Sequence, residues 1–417
     1  MSNVKLVPGA GSTAALGPQE GAEKSVEQRD YATMNANNAR VVLLTSIRDF
    51  RDMRVFHKEG RSLARAGYAV TLIVPGTQDQ PVDGISIQAV PRLKNRLLRM
   101  TLTVWRVYRK ALRQQADVYH FHDSELIPAG LLLRLRGKTV IYGIDEDLPR
   151  DLQSKHYLPR WSRPVLGWIA EQIENAACPR FSALVVATNA IGERFRPLNS
   201  RTLVVHNYPR FTEFVSSSRA PSIQRGCSVV YMGSISRERG LGEMLQAMEL
   251  LPEKLDARLK LAGQFAPPDA QRAMEQSPVR NRIDWLGLLN QAEMQELLAT
   301  VSVGLALYHP EPNHVRAEPF KLFEYMAAGV PVIASDFPLW REIVKGTGCG
   351  LVVDPQNPAA IARAIEHVLT HPEEAEAMGR RGREAAAKHY NWENEERNLC
   401  RLYERLFNPT NSEDHAA

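Results

Sequence analysis

From Arg40 onward, short apolar runs alternate with longer stretches in which apolar residues recur every three or four positions. The first pattern marks strands buried on both faces, and the second marks amphipathic helices. The alternation predicts strand Val41–Thr45, helix Met53–Ala66, strands Ala69–Val74 and Ile85–Val90, a helix around Leu97–Leu112 and strand Val118–Phe121. It continues through helix Leu126–Leu135, strand Thr139–Tyr142, helix Val165–Ala177 and strands Ala183–Ala187 and Leu203–Val205. Between His206 and Gly226 the periodicity stops while Pro, Ser and Arg accumulate, which marks a linker. A second series then runs through strand Ser228–Met232, helix Leu241–Leu250, strand Leu259–Ala262, a helix ending before Ser277, strand Ile283–Trp285, helix Gln291–Thr300 and strand Val303–Ala306. A short helix opened by Pro319 and closed by Gly329 precedes strands Pro331–Ala334 and Gly350–Val353, and helices Pro358–Leu369, Glu374–Lys388 and Trp392–Phe407 finish the chain. This rhythm predicts an α/β protein: two Rossmann-like, doubly wound parallel sheets whose strand ends face a central cleft.

Length and composition agree with two units. A chain of 417 residues exceeds one comfortable core, and 44% hydrophobic with 24% charged residues is a globular balance. Residues 1–38 are rich in Gly, Ala, Ser, Asn and Gln without apolar period and are expected to form a disordered leader, with 409–417 as a tail. The first domain is placed at 39–206, the linker at 207–226, the second domain at 227–391 and a last helix at 392–408. Cys178, Cys227, Cys349 and Cys400 lie far apart with no CxxC or Cys/His ligand spacing, which suits a reducing compartment and offers no structural metal site. No apolar run approaches the roughly 20 residues that span a bilayer, so a cytoplasmic protein is expected. A net charge of +5 and a pI near 9.0 favour an anionic partner without choosing among nucleotide, nucleic acid and anionic lipid.

The densest chemistry lies in residues 316–336. A helix start holds free backbone N–H groups, and Lys321 adds a full charge there, so an anion such as a diphosphate is stabilised at that end. Glu324 falls about one turn further along, at a rise of about 1.5 Å per residue, where its carboxylate can accept two hydroxyls of one ribose. The plainer reading is an amphipathic helix with Phe320, Phe323 and Met326 in the core and Glu324 solvated. The full run Pro319-Phe-Lys-Leu-Phe-Glu-Tyr-Met-Ala-Ala-Gly-Val-Pro-Val-Ile333 resembles the donor-site signature of retaining glycosyltransferases of the group 1 type, family 4, which have the GT-B architecture. The resemblance covers residues 40–407. It implies a nucleotide diphospho-sugar donor (a UDP- or GDP-sugar), no metal and no further cofactor, and donor contacts from Glu318, Pro319, Phe320 and Leu322 beside Lys321 and Glu324.

Gly233-Ser-Ile-Ser-Arg-Glu-Arg-Gly240 follows a predicted strand, where a glycine permits close backbone approach and Arg237 or Arg239 can clamp phosphate oxygens. In the family this place resembles Gly-Arg-Leu-x-x-x-Lys-Gly, so Arg239 takes the lysine position and Ser234 the arginine position. His120-Phe-His-Asp123 ends another strand, with both histidines on one face. His-x-His-Asp suggests a metal, but no further His/Asp cluster is visible in the sequence, so no metal is assigned. The resemblance instead implies that His122 faces the donor sugar. Tyr142-Gly-Ile-Asp-Glu146 resembles the family's Tyr-Asp-x-His-Glu, with Asp145 in place of histidine. Asp52-Met-Arg54 resembles a first-loop Asp-x-Arg; together with Asp123 it is a candidate for the acceptor side, and Asp52 is equally a helix N-cap. Arg316 stands where many members carry a sugar-binding glutamate, and Glu318 lies nearby, out of register.

Between Arg92 and Arg113 there are eight basic residues and no acidic one. A solvated helix face explains them, as does attraction to anionic headgroups, aided by Trp161, Arg163 and Trp168 in and around residues 158–169. The expected protein is therefore a glycosyltransferase of surface polysaccharide or glycolipid assembly, working at the inner face of a membrane on a glycan or lipid-linked acceptor. Arg239, Lys321 and His122 are its catalytic candidates, and nucleic acid is not expected as a partner. The rival reading is a nucleotide-sugar-binding protein without turnover. A dehydrogenase is disfavoured because no GxGxxG follows the first strand.

Overall fold

The structure, a computed structural model, describes residues 39–154, 158–215 and 226–408. The leader, the tail and part of the linker lie outside the described residues. The first sheet runs β3-β4-β2-β1-β5-β6-β7-β8, formed by β1 (Arg40–Leu44), β2 (Ala69–Pro75), β3 (Gln80–Val82), β4 (Ile85–Val90), β5 (Val118–Phe121), β6 (Thr139–Ile144), β7 (Ala183–Val186) and β8 (Thr202–Val204). Its pairs are parallel except for β3 on β4 at the edge. The second sheet is parallel in the order β11-β10-β9-β12-β13-β14, from β9 (Ser228–Met232), β10 (Arg258–Ala262), β11 (Ile283–Gly287), β12 (Val303–Ala306), β13 (Val332–Ser335) and β14 (Gly350–Val353). Both sheets are covered on two faces, which is why their central strands read as unbroken apolar runs.

Several elements escaped the periodicity. β3 carries Pro81, which is tolerated at a sheet edge because the missing donor faces no partner strand. Helices Leu148–Ser154, Asn189–Phe195 and Pro338–Thr347 were not expected. The first two span only 7 residues each, too short for a helical period to stand out. The linker is no free tether over its described part: Tyr208 and Phe214 are buried in the second domain's core. Helix Trp392–Phe407 crosses to the first sheet, where Trp392, Leu399, Cys400 and Tyr403 share a cluster with Val41, Leu43 and Phe56. Trp392 Nε1 donates to Ser62 Oγ at 2.9 Å and Arg65 pairs with Glu396 at 2.8 Å.

β1 lies beside β5, and β9 beside β12, at the points where the strand order of each sheet reverses. The loops leaving these strands diverge to opposite sides and open a crevice there, so ligand chemistry is expected at both reversals.

Candidate active site

A cavity of about 570 Å³ lies between the domains, walled by Arg48, Asp52, Arg54 and Asp145 on one side and Arg239, Tyr308, Arg316 and Glu318 on the other. On the second domain's side, the chain leaves β9 at Gly233 with φ +109, a conformation that a side chain resists. A Cβ there would lie 3.5 Å from Lys321 Nζ and 3.8 Å from Arg239 Nη1, so the bare backbone and two cations converge on one point. Arg239 also stands over the Tyr308 ring at 5.0 Å.

The helix that supplies Lys321 is Phe320–Ala327, with Pro319 as N-cap and Gly329 turning the chain out at φ +69. Lys321 is buried, its Nζ 3.6 Å from the Tyr231 ring centre and without a hydrogen-bond partner. The ring face offsets part of the ammonium's desolvation. Burial, and then Arg239, hold its pKa well below the usual lysine range. Glu324, one turn on, is buried rather than solvated, so the plainer sequence reading fails at this residue. Burial lifts it to about 7 against the opposing pull of Lys58 and Lys321. Neither Lys321 nor Glu324 lines the open cavity: both sit beneath the wall formed by Glu318, Pro319, Phe320 and Phe323. Leu322 is a core residue rather than a donor contact; its side chain is fully buried and its N–H is taken by the Pro319 carbonyl. Arg237 is exposed and absent from the cavity wall, whereas Arg239 is part of it, and Ser234 is half-buried off that wall. Glu318 does face the cavity, but its carboxylate is held 2.8 Å from His206 Nδ1. Burial would lower that imidazole's pKa, and the Glu318 hydrogen bond and charge outweigh it and raise it.

The first domain's wall is a closed charge network. Asp52 Oδ1 accepts from the N–H groups of Arg54 and Val55 at 3.0 and 2.8 Å, so it is the N-cap, and it also pairs with Arg48. Asp123 is not on the cavity wall; its carboxylate accepts from Thr45 Oγ1, Ser46 N and Ile47 N and ties down the loop after β1. Arg54 Nε reaches Glu59 Oε1 at 3.0 Å and Asp145 Oδ1 at 2.8 Å, and Arg48 also contacts Asp145. Burial would raise Asp145, but Arg54 and Arg48 outweigh it and keep its pKa below the usual carboxylate range.

His122 is a further correction. Its side chain is buried beside His120, with ring centres 4.4 Å apart, and its Nε2 lies 3.1 Å from Glu59 Oε2, behind the cavity wall rather than on it. Glu59, His120 and His122 bring one potential ligand atom each within 4.8 Å of one another, so the third group that the sequence did not reveal is Glu59. Arg54 on the other Glu59 oxygen already supplies a counter-charge to this trio. His120 falls to about 3 through burial and then His122, and its Nδ1 shares a proton with Tyr403 Oη at 2.9 Å.

Sequence reasoning missed Lys58, Glu59 and Asn207. Lys58 Nζ donates to Asn207 Oδ1 at 2.6 Å and sits 4.2 Å from the Phe320 ring across the cleft, with its pKa pushed down to about 7 by burial and Arg54. The signal was present: Glu59 stands among Val55, Phe56 and Leu63 on the apolar stripe of its helix, and a carboxylate there demands a buried partner. The first part of that helix, Met53–Gly60, is wound wide, with His57 N–H reaching back to the Asp52 carbonyl at 3.2 Å. This winding turns Arg54, Lys58 and Glu59 inward together.

Comparison with known proteins gives the family. The model of glycosyl transferases group 1 matches residues 222–385, and that of Glycosyltransferase Family 4 matches 54–208. An uncharacterized glycosyltransferase of Methanocaldococcus jannaschii is 26% identical over 176 residues, which cover 42% of this chain and 44% of that one, so the chain spans less than half the length of this curated relative. Among solved structures, sucrose-phosphate synthase from Thermosynechococcus elongatus superposes with a TM-score of 0.71 at 19% identity, covering 89% of this chain and 100% of that one. Anabaena HepE in complex with UDP-glucose gives 0.64 at 14% identity, covering 87% and 99%. Two family models lying one on each parallel sheet, with the signature helix Phe320–Ala327 at the cleft between them, make this chain a glycosyltransferase of group 1, family 4, with the GT-B fold.

Proposed function

We propose that the protein transfers a sugar from a nucleotide diphospho-sugar to a lipid-linked saccharide, with retention of anomeric configuration. The observation that carries the donor half is the buried Lys321 Nζ, unpartnered, beside Arg239 and the bare Gly233 backbone. A buried cation without an acceptor is costly, and a diphosphate bound there would relieve it. The likeness to HepE, which binds UDP-glucose, supports the same reading.

In this reading the leaving diphosphate gains charge as the glycosidic bond breaks. Arg239, Lys321 and the first N–H groups of helix Phe320–Ala327 meet that charge, and the acceptor oxygen attacks on the leaving-group face. Glu324 accepts the ribose hydroxyls. Donor binding raises the pKa of Lys321, because the phosphate supplies the counter-charge that the buried ammonium lacks. The reading includes no metal, and activity is expected to survive chelation by EDTA.

The test is release of nucleoside diphosphate from UDP- and GDP-sugars in the presence of a glycolipid extract. A second reading, binding without turnover, is favoured by His122 lying behind the wall and by Asp145 locked to Arg48 and Arg54. Tight nucleotide binding with no release under any donor and acceptor would leave only that reading.

A further inference from the structure

The outer layer of the first domain has no part in the cleft chemistry. Helix 96–113 contributes Val104, Val107 and Tyr108, helix Ile127–Leu135 contributes Ala129 and Leu133, and helix Ser162–Ala177 contributes Ala177 to a single core cluster, so the three cover one face of the first sheet. Their outward sides are unusually apolar. Among the described residues, thirteen of the nineteen large apolar side chains left exposed fall between Leu97 and Ile173. They include Leu97 at 75%, Leu135 at 83%, Trp161 at 78% and Trp168 at 62% exposure. Soluble monomers seldom leave such a concentration uncovered.

Charge decides what covers it. Residues 92–113 hold eight basic and no acidic side chains, and Arg92, Lys94 and Arg109 are exposed beside Leu97 and Trp105. A second copy docking by two-fold symmetry would set these charges against themselves. An anionic bilayer surface meets both features, because indole rings settle at the headgroup level while arginines and lysines attract the headgroups. The surface is also tied to the cleft. Gly167 lets helix Ser162–Ala177 approach Pro149 closely, where a Cβ would lie 3.0 Å from the Pro149 carbonyl oxygen, and the same short helix Leu148–Ser154 sends Arg150 and Asp151 to the cavity wall.

We propose that the outer face of helices 96–113, Ile127–Leu135 and Ser162–Ala177 docks on an anionic membrane surface, with Trp105, Trp161 and Trp168 as interfacial anchors. Docking there sets the first domain's side of the cleft beside the bilayer, where a lipid-carried acceptor enters. Vesicle binding needs neither donor nor turnover, so this inference stands or falls separately from the transferase reading.

The experiment is flotation of the full chain with vesicles of phosphatidylcholine alone and of phosphatidylcholine mixed with phosphatidylglycerol. The parent is expected to float with the mixed vesicles and only weakly with the neutral ones, and added salt weakens the difference. R92Q/K94Q/R109Q lowers partition into the anionic vesicles by about 100-fold, at about fivefold per charge, while leaving the weak neutral binding unchanged. W105S/W168S lowers partition into both vesicle types by about tenfold or more. All five side chains are exposed or nearly so, and an unchanged melting temperature shows that the variants fold. The proposal is overturned if the parent floats with neither vesicle, or if the double tryptophan variant floats like the parent. A parent that sediments as a dimer which W105S/W168S dissociates overturns it too, by showing a copy of the chain on this face.

Discussion

On the second domain's side of the cleft Lys321 is buried behind the wall without an acceptor and Arg239 converges on the same bare glycine, whereas on the first domain's wall Arg48, Arg54, Asp52 and Asp145 are tied to one another or to backbone. One wall holds charge in reserve and the other has spent it on fixing loops. The difference assigns the walls distinct work. An anion gains most where no counter-ion must first be displaced, so the diphosphate of the proposed donor is assigned to Lys321 and Arg239. The opposite wall offers a rigid, internally neutralised surface, suited to presenting hydroxyl-rich groups without moving.

The strongest way to break this contrast is Arg54→Ala. It leaves buried Glu59 with only the two histidines and Asp145 with only Arg48, and removing one partner of a buried ion pair costs about 3–5 kcal/mol. Chemical denaturation should show that loss, with nucleotide affinity in the folded fraction unchanged. Lys321→Met should do the reverse. Nucleotide affinity falls by about 2–3 kcal/mol, read by titration calorimetry, while stability is unchanged or rises because an unpaired buried cation has gone. A variant that lost stability instead would place Lys321 among structural ion pairs.

Glu324 separates the two behaviours by pH. Its pKa near 7 lies above the ordinary 4.5, so the folded state keeps a proton that the unfolded chain has released. Stability from this group is fully present below pH 4.5 and is lost as pH rises through 7, by up to about 3 kcal/mol. Lys58, whose pKa falls from 10.5 to about 7, acts only above that window. Glu324→Gln should flatten the decline between pH 4.5 and 7 and weaken nucleotide binding by about tenfold. Parent-like affinity would sink the ribose assignment. The smallest effect is expected from Arg237→Ala, within about 0.5 kcal/mol in stability and in nucleotide binding, against a clear binding loss for Arg239→Ala. Equal losses for both arginines would mean that the exposed one turns inward with ligand.

Strand and helix positions in both sheets were legible because a doubly covered parallel sheet writes each strand as an apolar run, and the run is local. Ser228–Met232 and Val303–Ala306 match their strands end to end. Of the elements that were missed, helices Leu148–Ser154 and Asn189–Phe195 are short and β3 interrupts its own pattern with Pro81, whereas helix Pro338–Thr347 went unread although Trp340, Ile343 and Val344 recur at helical spacing. The residues of the proposed anion side were related in the sequence for the same reason: Pro319, Lys321 and Glu324 sit within two turns of one helix, so spacing alone brings them together.

What the sequence determined by itself, then, is every feature whose partners are near neighbours along the chain: the α/β rhythm, the helix start with its lysine, and the basic stretch 92–113. Tertiary structure alone decided which charges are free. Glu59 meets His122 across 63 positions and Arg48 meets Asp145 across 97, and the wide turn at Met53–Gly60 that points Arg54, Lys58 and Glu59 inward leaves no periodic trace. Pairing between charges is a matter of distance in space and of burial, and a linear pattern carries neither. That is why the sequence marked His122 and Asp123 as facing ligand when packing had already committed both to the protein itself.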